Sequence, residues 1–295
     1  MIIPCYNHAQ YLPDAVRSII SQTVSEWECI IINDGSSDNT RDVALSLAAE
    51  DSRVRYLEQP NRGLARARNR GLDEARGQYI QFLDADDIIA PNKFELQLQA
   101  LSTTNELALS YSNYYCCRIN DRLNIRIKCY LSPQIDIERP LQDLASRWET
   151  ELSIPVHCFL LDARIFKLYQ IRFDESIPNH EDWECWMRVL TMKPSLFYVD
   201  EELAVYRILD SSMHSNYARM RRGFLQAIRK QQKLWRKNRE MREILELKIE
   251  VTKGMYKRLM ERRRRRARYE LYRRLQRVIP SNTRESLKLL LRRMQ

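Results

Sequence analysis

Asp84-Ala85-Asp86 directly follows the apolar run 79–83. Carboxylates at the end of a buried strand are costly unless something pairs with them. A hard divalent cation removes that cost, and Mg²⁺ or Mn²⁺ takes carboxylates together with substrate phosphates as ligands. Bound there, such an ion would neutralise a diphosphate leaving group. The competing reading is a helix cap, Asp86 or Asp87 ahead of a helix near Pro91. Asp34 ends a second apolar run, 28–33. Its carboxylate could accept a hydrogen bond from a base N–H such as uracil N3, or serve an Asx-turn, a role Asp38 or Thr40 fills equally well. Glu181-Asp182 lies within His180-Glu181-Asp182-Trp183-Glu184-Cys185-Trp186. A carboxylate beside an attacking hydroxyl can take its proton, and Trp183 or Trp186 could give a sugar ring an apolar face. The alternative is a helix N-terminus with acids suited to its dipole and tryptophans in the core. Of Arg66, Arg68 and Arg70, one could meet phosphate or base while the others stay solvated.

These residues need a scaffold that brings strand ends together, and the hydrophobic periodicity supplies one. Ile2-Ile3-Pro4 predicts a first strand, 12–22 a helix and 28–33 a buried strand. A helix to about Glu50, a strand at 54–57, a helix over 64–75 and a strand at 79–83 follow. Such alternation predicts βαβ units, a parallel sheet and helices on both faces. Ligands in such sheets bind at the carboxyl ends of the strands, where the loops 34–40 and 84–87 fall. No GxGxxG occurs, so the dinucleotide fingerprint is missing. Residues 108–215 are less regular, with β-rich runs at 108–117, 124–131 and 155–161, a helix at 181–190 and strands at 196–199 and 203–206.

Composition narrows the class. The 295 residues are 44% hydrophobic and 30% charged, enough for a packed core and against wholesale disorder. No apolar stretch of about 18 residues predicts a membrane span, and no secretory leader is visible. Seven scattered cysteines without CxxC spacing argue against a zinc site or disulfide framework and for reduced thiols in a cytosol. The net charge of +10 is divided: residues 1–215 hold 22 Lys+Arg against 32 Asp+Glu, net −10, and residues 216–295 hold 27 against 7, net +20. We therefore expect an acidic globular domain over 1–215 and a basic helical extension over 216–295.

Five stretches, in this order, resemble the inverting family 2 glycosyltransferases of GT-A fold. They are Ile2-Ile3-Pro4-Cys5-Tyr6-Asn7, Asn33-Asp34-Gly35-Ser36-Ser37-Asp38, Asn61-Arg62-Gly63 with Ala67-Arg68-Asn69-Arg70-Gly71, Phe82-Leu83-Asp84-Ala85-Asp86-Asp87, and Glu181-Asp182-Trp183. The resemblance covers roughly 1–210. It implies an α/β nucleotide-diphospho-sugar transferase, a Rossmann-like mixed sheet with helices on both faces. It implies transfer of a sugar from a nucleotide-diphosphate donor, a UDP-sugar by Asp34, to a saccharide or lipid-linked acceptor in cell-surface polysaccharide synthesis. In this reading Pro4 and Tyr6 line the nucleoside pocket, Asp34 holds uracil and Arg68 contacts base or diphosphate. Asp84 and Ala85 touch the donor, Asp86 with Asp84 ligates Mn²⁺ or Mg²⁺, and Asp182 is the general base. Glu181 and Trp183 stand on the acceptor side. A catalytically inactive GT-A-like module that binds nucleotide sugar is the alternative. A nucleotidyltransferase would need a glycine-rich phosphate loop, which 2–10 lacks.

Two departures stand out. Met1 lies inside the first strand, where family members carry a few residues ahead of it, so the expectation is a truncated or misassigned start. Where many members have Tyr-Arg-x-His, this chain has Tyr206-Arg207-Ile208-Leu209; His214 could substitute as a metal ligand or be a solvated loop histidine.

From Tyr217 the sequence is helical and charged. Ile244, Leu247, Val251, Met255 and Leu259 form an amphipathic stripe, Arg262–Arg266 is a run of five arginines, and Pro280 breaks the helix before an Asn282/Glu285 cap. The expected role is packing on the catalytic domain. A second reading is contact with an anionic membrane, which would place a cytoplasmic enzyme at the inner face of the membrane. Nucleic-acid binding ranks last, for want of a recognised fold.

Overall fold

The computed structural model describes residues 1–119, 124–127, 129, 131–209 and 216–278. The first half builds as its periodicity dictates. Strand β1 (Ile2–Cys5) leads to helix α1 (Leu12–Ile20), β2 (Cys29–Asp34), α2 (Thr40–Glu50), β3 (Val54–Gln59) and α3 (Leu64–Glu74). β1, β2 and β3 pair in parallel in that order, with Ile3 opposite Ile31 and Ile31 opposite Tyr56. Every β2 side chain is buried, as a strand covered on both faces requires.

The sheet continues on the other side of β1. Ile2 N donates to Gln81 O and Leu83 N to Ile2 O, joining β1 to the segment that begins with β4 (Tyr79–Ile80). Only 79–80 of the expected 79–83 strand is regular; the rest is tied to β1 by a single bridge, Phe82 to Ile2.

Beyond it come β5 (Ile88–Ile89), α4 (Lys93–Leu101), β6 (Ala108–Ile119), β7 (Asn124–Ile127), α5 (Pro140–Arg147) and, after a 3₁₀ turn at Val156–Cys158, β8 (Phe159–Asp162). Helices α6 (Arg164–Lys167) and α7 (Glu181–Leu190) and strand β9 (Ser195–Ile208) complete this part. The order β4-β8-β6-β9-β5 is antiparallel except for β6 against β9. The sheet is therefore mixed, and 196–199 and 203–206 belong to one strand that absorbs an irregularity opposite Ser112–Tyr114. One thiol expectation needs correction. The β6–β7 hairpin brings Cys116 to Cys129 with Cα atoms 5.7 Å apart, and they form a disulfide. Cys5, Cys29, Cys117, Cys158 and Cys185 are free and buried.

Helices α8 (Tyr217–Leu234) and α9 (Arg239–Val278) follow. They share the main core: Met220, Phe224, Ile228, Met241, Leu245 and Tyr256 belong to the same apolar cluster as Phe82, Tyr111, Phe173 and Trp183. The expected separation at 215/216 is therefore not a boundary between cores. The buried face of α9 is Met241, Leu245, Lys248, Thr252 and Tyr256, not the expected stripe: Ile244, Met255 and Leu259 flank it, while Leu247 is 67% and Val251 37% exposed. Sequence spacing set the period; the surface that α8 and α5 present decided the phase. Arg262–Arg265 are all exposed. His214, Pro280 and the Asn282/Glu285 cap lie outside the described residues. Among those residues no helix is long and apolar enough to cross a membrane.

Candidate active site

Three loops meet at the carboxyl ends of β1, β2 and the 79–83 segment. The first two clip each other: Asn7 Oδ1 accepts from Ser37 N at 2.7 Å, Asn7 N donates to Ser36 Oγ at 2.9 Å, and Ala9 N donates to Asp38 Oδ2 at 3.1 Å. Asp38 also accepts from Thr40 N at the first residue of α2, so the turn role weighed for it is the one it has. Tyr6, beyond the strand, is 49% exposed, while Pro4 is buried within β1 opposite Ile32.

Asp34 is buried and already engaged. Its Oδ1 accepts from Gln59 Nε2 at 2.7 Å and Arg62 N at 2.9 Å, and its Oδ2 from Gly63 N at 2.8 Å. The carboxylate thus ties the turn before α3 to the end of β2. The close approach explains Gly35: its φ is +69°, and a Cβ there would lie 2.6 Å from Asn61 N. A carboxylate has about four acceptor positions, so Asp34 retains capacity for one ligand N–H. Gln59, Arg62 and Gly63 had no part in the sequence reading of the site as partners of Asp34; nothing in their spacing marked that bond.

Arg68 differs from its expected place. It is 2% exposed, its Nη1 donates to Glu181 Oε1 at 2.6 Å and its Nη2 to Asp84 Oδ1 at 2.8 Å. Its fork is committed to two carboxylates rather than to base or diphosphate. From α3 it links the Asp-x-Asp loop, 16 residues on, to the N-terminus of α7, 113 residues on. Arg66 pairs with Glu175 and Arg70 with Glu74, both on the surface.

The carboxylates of the loop are driven apart electrostatically. Burial would raise Asp84, but the Arg68 guanidinium outweighs it and holds the carboxyl below the usual range. Burial, then the adjacent charges of Asp87 and Asp84, push Asp86 up to about 8. Asp87 is occupied elsewhere, accepting from Arg207 N at 2.7 Å and lying 3.0 Å from His157 Nδ1. Arg207 Nε also donates to the Asp86 carbonyl and its Nη1 to Asp14 Oδ2 at 2.9 Å. Arg207 therefore anchors the loop, a role the sequence reading missed by attending only to the histidine absent after it. Ala85 is buried.

Asp86 has the character of a cation ligand. Among the described residues no Lys or Arg forms an ion pair with its side chain; His8 Nδ1 lies 3.9 Å from Oδ1, and Arg207 acts on it without contact. No three His, Cys, Asp or Glu side chains among those residues form a ready cage. That suits Mg²⁺ or Mn²⁺, which take one or two carboxylates and draw their other ligands from phosphate and water.

At the far wall, Glu181 and Asp182 open α7. Glu181 is buried against Arg68, and burial holds its carboxyl above the usual range. Asp182 is half-buried, with Oδ1 accepting from Trp183 N at 2.7 Å. It is the acid of this pair not engaged by Arg68. The acceptor-side expectation for Trp183 is corrected: it is 0% exposed, donates Nε1 to Leu144 O at 3.0 Å and meets Phe224 edge to face. Trp186 is buried as well. Glu181 likewise serves Arg68 rather than an acceptor.

With this geometry in place, relatives carry weight. Among curated proteins, the uncharacterized glycosyltransferase EpsJ of Bacillus subtilis (strain 168) is 30% identical over 213 residues, 70% of this chain and 60% of that protein. The putative teichuronic acid biosynthesis glycosyltransferase TuaG of the same organism is 29% identical over 218 residues, 73% of this chain and 81% of that protein. The chain spans 60% of EpsJ and 34% of a Rickettsia felis relative. Among solved structures, the mannosyltransferase PcManGT from Pyrobaculum calidifontis, in complex with GDP-Man and Mn²⁺, superimposes with a TM-score of 0.61 at 17% identity, over 84% of this chain and 68% of that one. That likeness establishes the GT-A fold. The sequence profile of Glycosyl transferase family 2 matches residues 1–167, which hold the Asp34 turn, Arg68 and the Asp84–Asp86 loop; the chain belongs to glycosyltransferase family 2.

Proposed function

We propose that this chain is an inverting glycosyltransferase that moves a sugar from a nucleotide-diphosphate donor to a saccharide or lipid-linked acceptor in cell-surface polysaccharide synthesis. One observation carries it. Arg68 holds the donor-side Asp84 and the first turn of α7 in one buried ion-pair line. In this reading the carboxylate that Arg68 leaves free in that turn, Asp182, faces the same cleft as Asp86. Tyr6 and the spare acceptor position of Asp34 receive the nucleoside, a uridine in this reading. Asp86, with Asp84 beside it, holds the divalent cation. When bound, that ion neutralises charge on the diphosphate, so the leaving group needs no acid.

The protein's own part is at the acceptor. Asp182 takes the proton as the acceptor oxygen bonds to the anomeric carbon. The bond from that carbon to the diphosphate oxygen breaks, and its electron pair leaves with the nucleotide. A single displacement inverts the anomeric configuration, and one base suffices. The name of TuaG supports a polymer-building role, and the Mn²⁺ and GDP-Man of PcManGT support a metal-assisted nucleotide-sugar site. The exposed Arg262–Arg265 run supports a peripheral seat on an anionic membrane at the cytoplasmic face.

Substitution tests the reading. Asp182→Asn retains calorimetric binding of UDP with Mn²⁺ and loses transfer; equal transfer by both forms removes Asp182 as the base. Tighter binding of GDP than UDP overturns the uridine assignment.

A further inference from the structure

The residue just before the acidic pair is held by elements distant in sequence. His180 precedes α7 in left-handed backbone, φ +61°, and is buried. Left-handed backbone in a non-glycine residue is strained and persists where its surroundings over-determine it. Those surroundings come from three distant elements. His180 Nε2 lies 2.7 Å from Glu149 Oε1, just past α5, and its Nδ1 2.7 Å from Asn179 Oδ1. Its ring stacks on Phe224 of α8, centroids 4.2 Å apart and planes within 8°. The other oxygen of Glu149 accepts from Tyr256 OH of α9 at 3.0 Å. Lys248 of α9 fixes the same turn by donating to Ser146 O at 3.0 Å and to Trp148 O. Asn179 Nδ2 donates to Arg219 O of α8 at 3.1 Å. At Gly223 the helix passes so near that a Cβ would sit 2.2 Å from Asn179 Oδ1.

We propose that α8 and α9 are a working part of the acceptor site: the line Tyr256–Glu149–His180 fixes the first turn of α7 and with it the direction of the Asp182 carboxylate. Tyr256, Glu149 and His180 are positioning residues, and the assignment rests on Asp182 being the base. The charged groups facing His180 are Glu149 beyond α5 and Glu181 and Asp182 of α7; on α9, Lys248 Nζ lies 5.7 Å from the Phe224 ring on which the histidine stacks, and Tyr256 reaches the histidine through Glu149. Burial alone would discharge the imidazole, but Glu149, Asp182 and Glu181 together hold its pKa above the ordinary value.

The test uses the full chain and two readouts. The first is the His180 ring titration by NMR, tractable because the chain has 4 histidines. Expected is a fall of about half a pH unit or more in both Glu149→Gln and Asp182→Asn. The second is release of UDP from UDP-glucose, UDP-galactose or UDP-N-acetylglucosamine, with Mn²⁺, per site that binds UDP. Tyr256→Phe should lower this turnover about 3- to 10-fold with donor affinity unchanged. An unmoved His180 titration in Asp182→Asn, or unchanged turnover per site in Tyr256→Phe, overturns the proposal. Full turnover in Asp182→Asn instead defeats the base assignment itself, a separate result. Should Glu149→Gln fail to fold, Tyr256→Phe, which loses one hydroxyl, decides.

Discussion

Replacing Arg68 by methionine tests whether the ion-pair line between donor loop and α7 is what organises the site. Methionine roughly preserves the length of the side chain and removes its charge. Two charged hydrogen bonds are lost, at 2.6 Å and 2.8 Å, and Asp84 and Glu181 are left without their cation. Stranding the buried Glu181, with the half-buried Asp84 beside it, costs about 3–5 kcal/mol. At about 2–4 °C per kcal/mol that is a fall in Tm of roughly 6–20 °C. Arg68→Lys keeps a charge but not the fork that reaches both partners, and should lose about 1.5–3 kcal/mol, one charged hydrogen bond. The pH dependence carries the sign. Asp84 lies below its ordinary value in the folded chain, so its contribution is full above the ordinary carboxylate range and is lost as pH falls through the depressed value. In Arg68→Met both carboxylates prefer protonation, so the deficit against the parent should be widest at pH 7–8 and narrow toward about pH 4–5. Calorimetric melts across that range read it directly. A methionine variant as stable as the parent, or a deficit that does not change with pH, would refute the argument that burial of this pair depends on Arg68.

Other expectations follow from the same electrostatics. Asp86→Asn should abolish the metal-dependent part of UDP binding. Because the Asp86 carboxyl stands at about 8, Mn²⁺ must displace a proton below that pH, so apparent affinity should weaken up to about tenfold per unit toward pH 6; titration calorimetry in buffers of different ionisation enthalpy would show the released proton. Lys93 is fully buried, donates to Gln97 Oε1 and Cys158 O, and burial lowers it to about 7. A buried lysine binds fewer protons folded than unfolded above that value, so parent stability should rise between about pH 7 and 10 and Lys93→Met should flatten the rise, as urea melts would report. Removing residues after 260 should leave the core intact, since Tyr256 is the last buried residue among the side chains described on α9. The same truncation should end salt-sensitive co-sedimentation with phosphatidylserine vesicles; absence of pelleting by the full chain at low salt removes the membrane seat.

Much of this molecule is local. The β1–α3 half was legible because strands such as 29–34 are buried on both faces and helices such as 64–74 follow their own period. The Asp-x-Asp loop and Glu181-Asp182 stood out only as members of an ordered series of motifs that resembles a family, since single acids at strand and helix ends also serve as caps and dipole partners. Chain order alone, however, could not say which of two neighbouring acids is free. Glu181 is taken by Arg68 and Asp182 is not, because a fork from α3 reaches one and not the other. Nor could it tell a sugar-facing tryptophan from a core one: Trp183 is enclosed by α5 and α8, elements far away in sequence. The amphipathic period of α9 was local and its phase was not, because the partner surface sets which stripe is covered. The sequence determined the types of group and their order along the chain. The tertiary structure decided their pairing, because ion pairs and buried faces depend on distances between segments that the backbone alone does not fix.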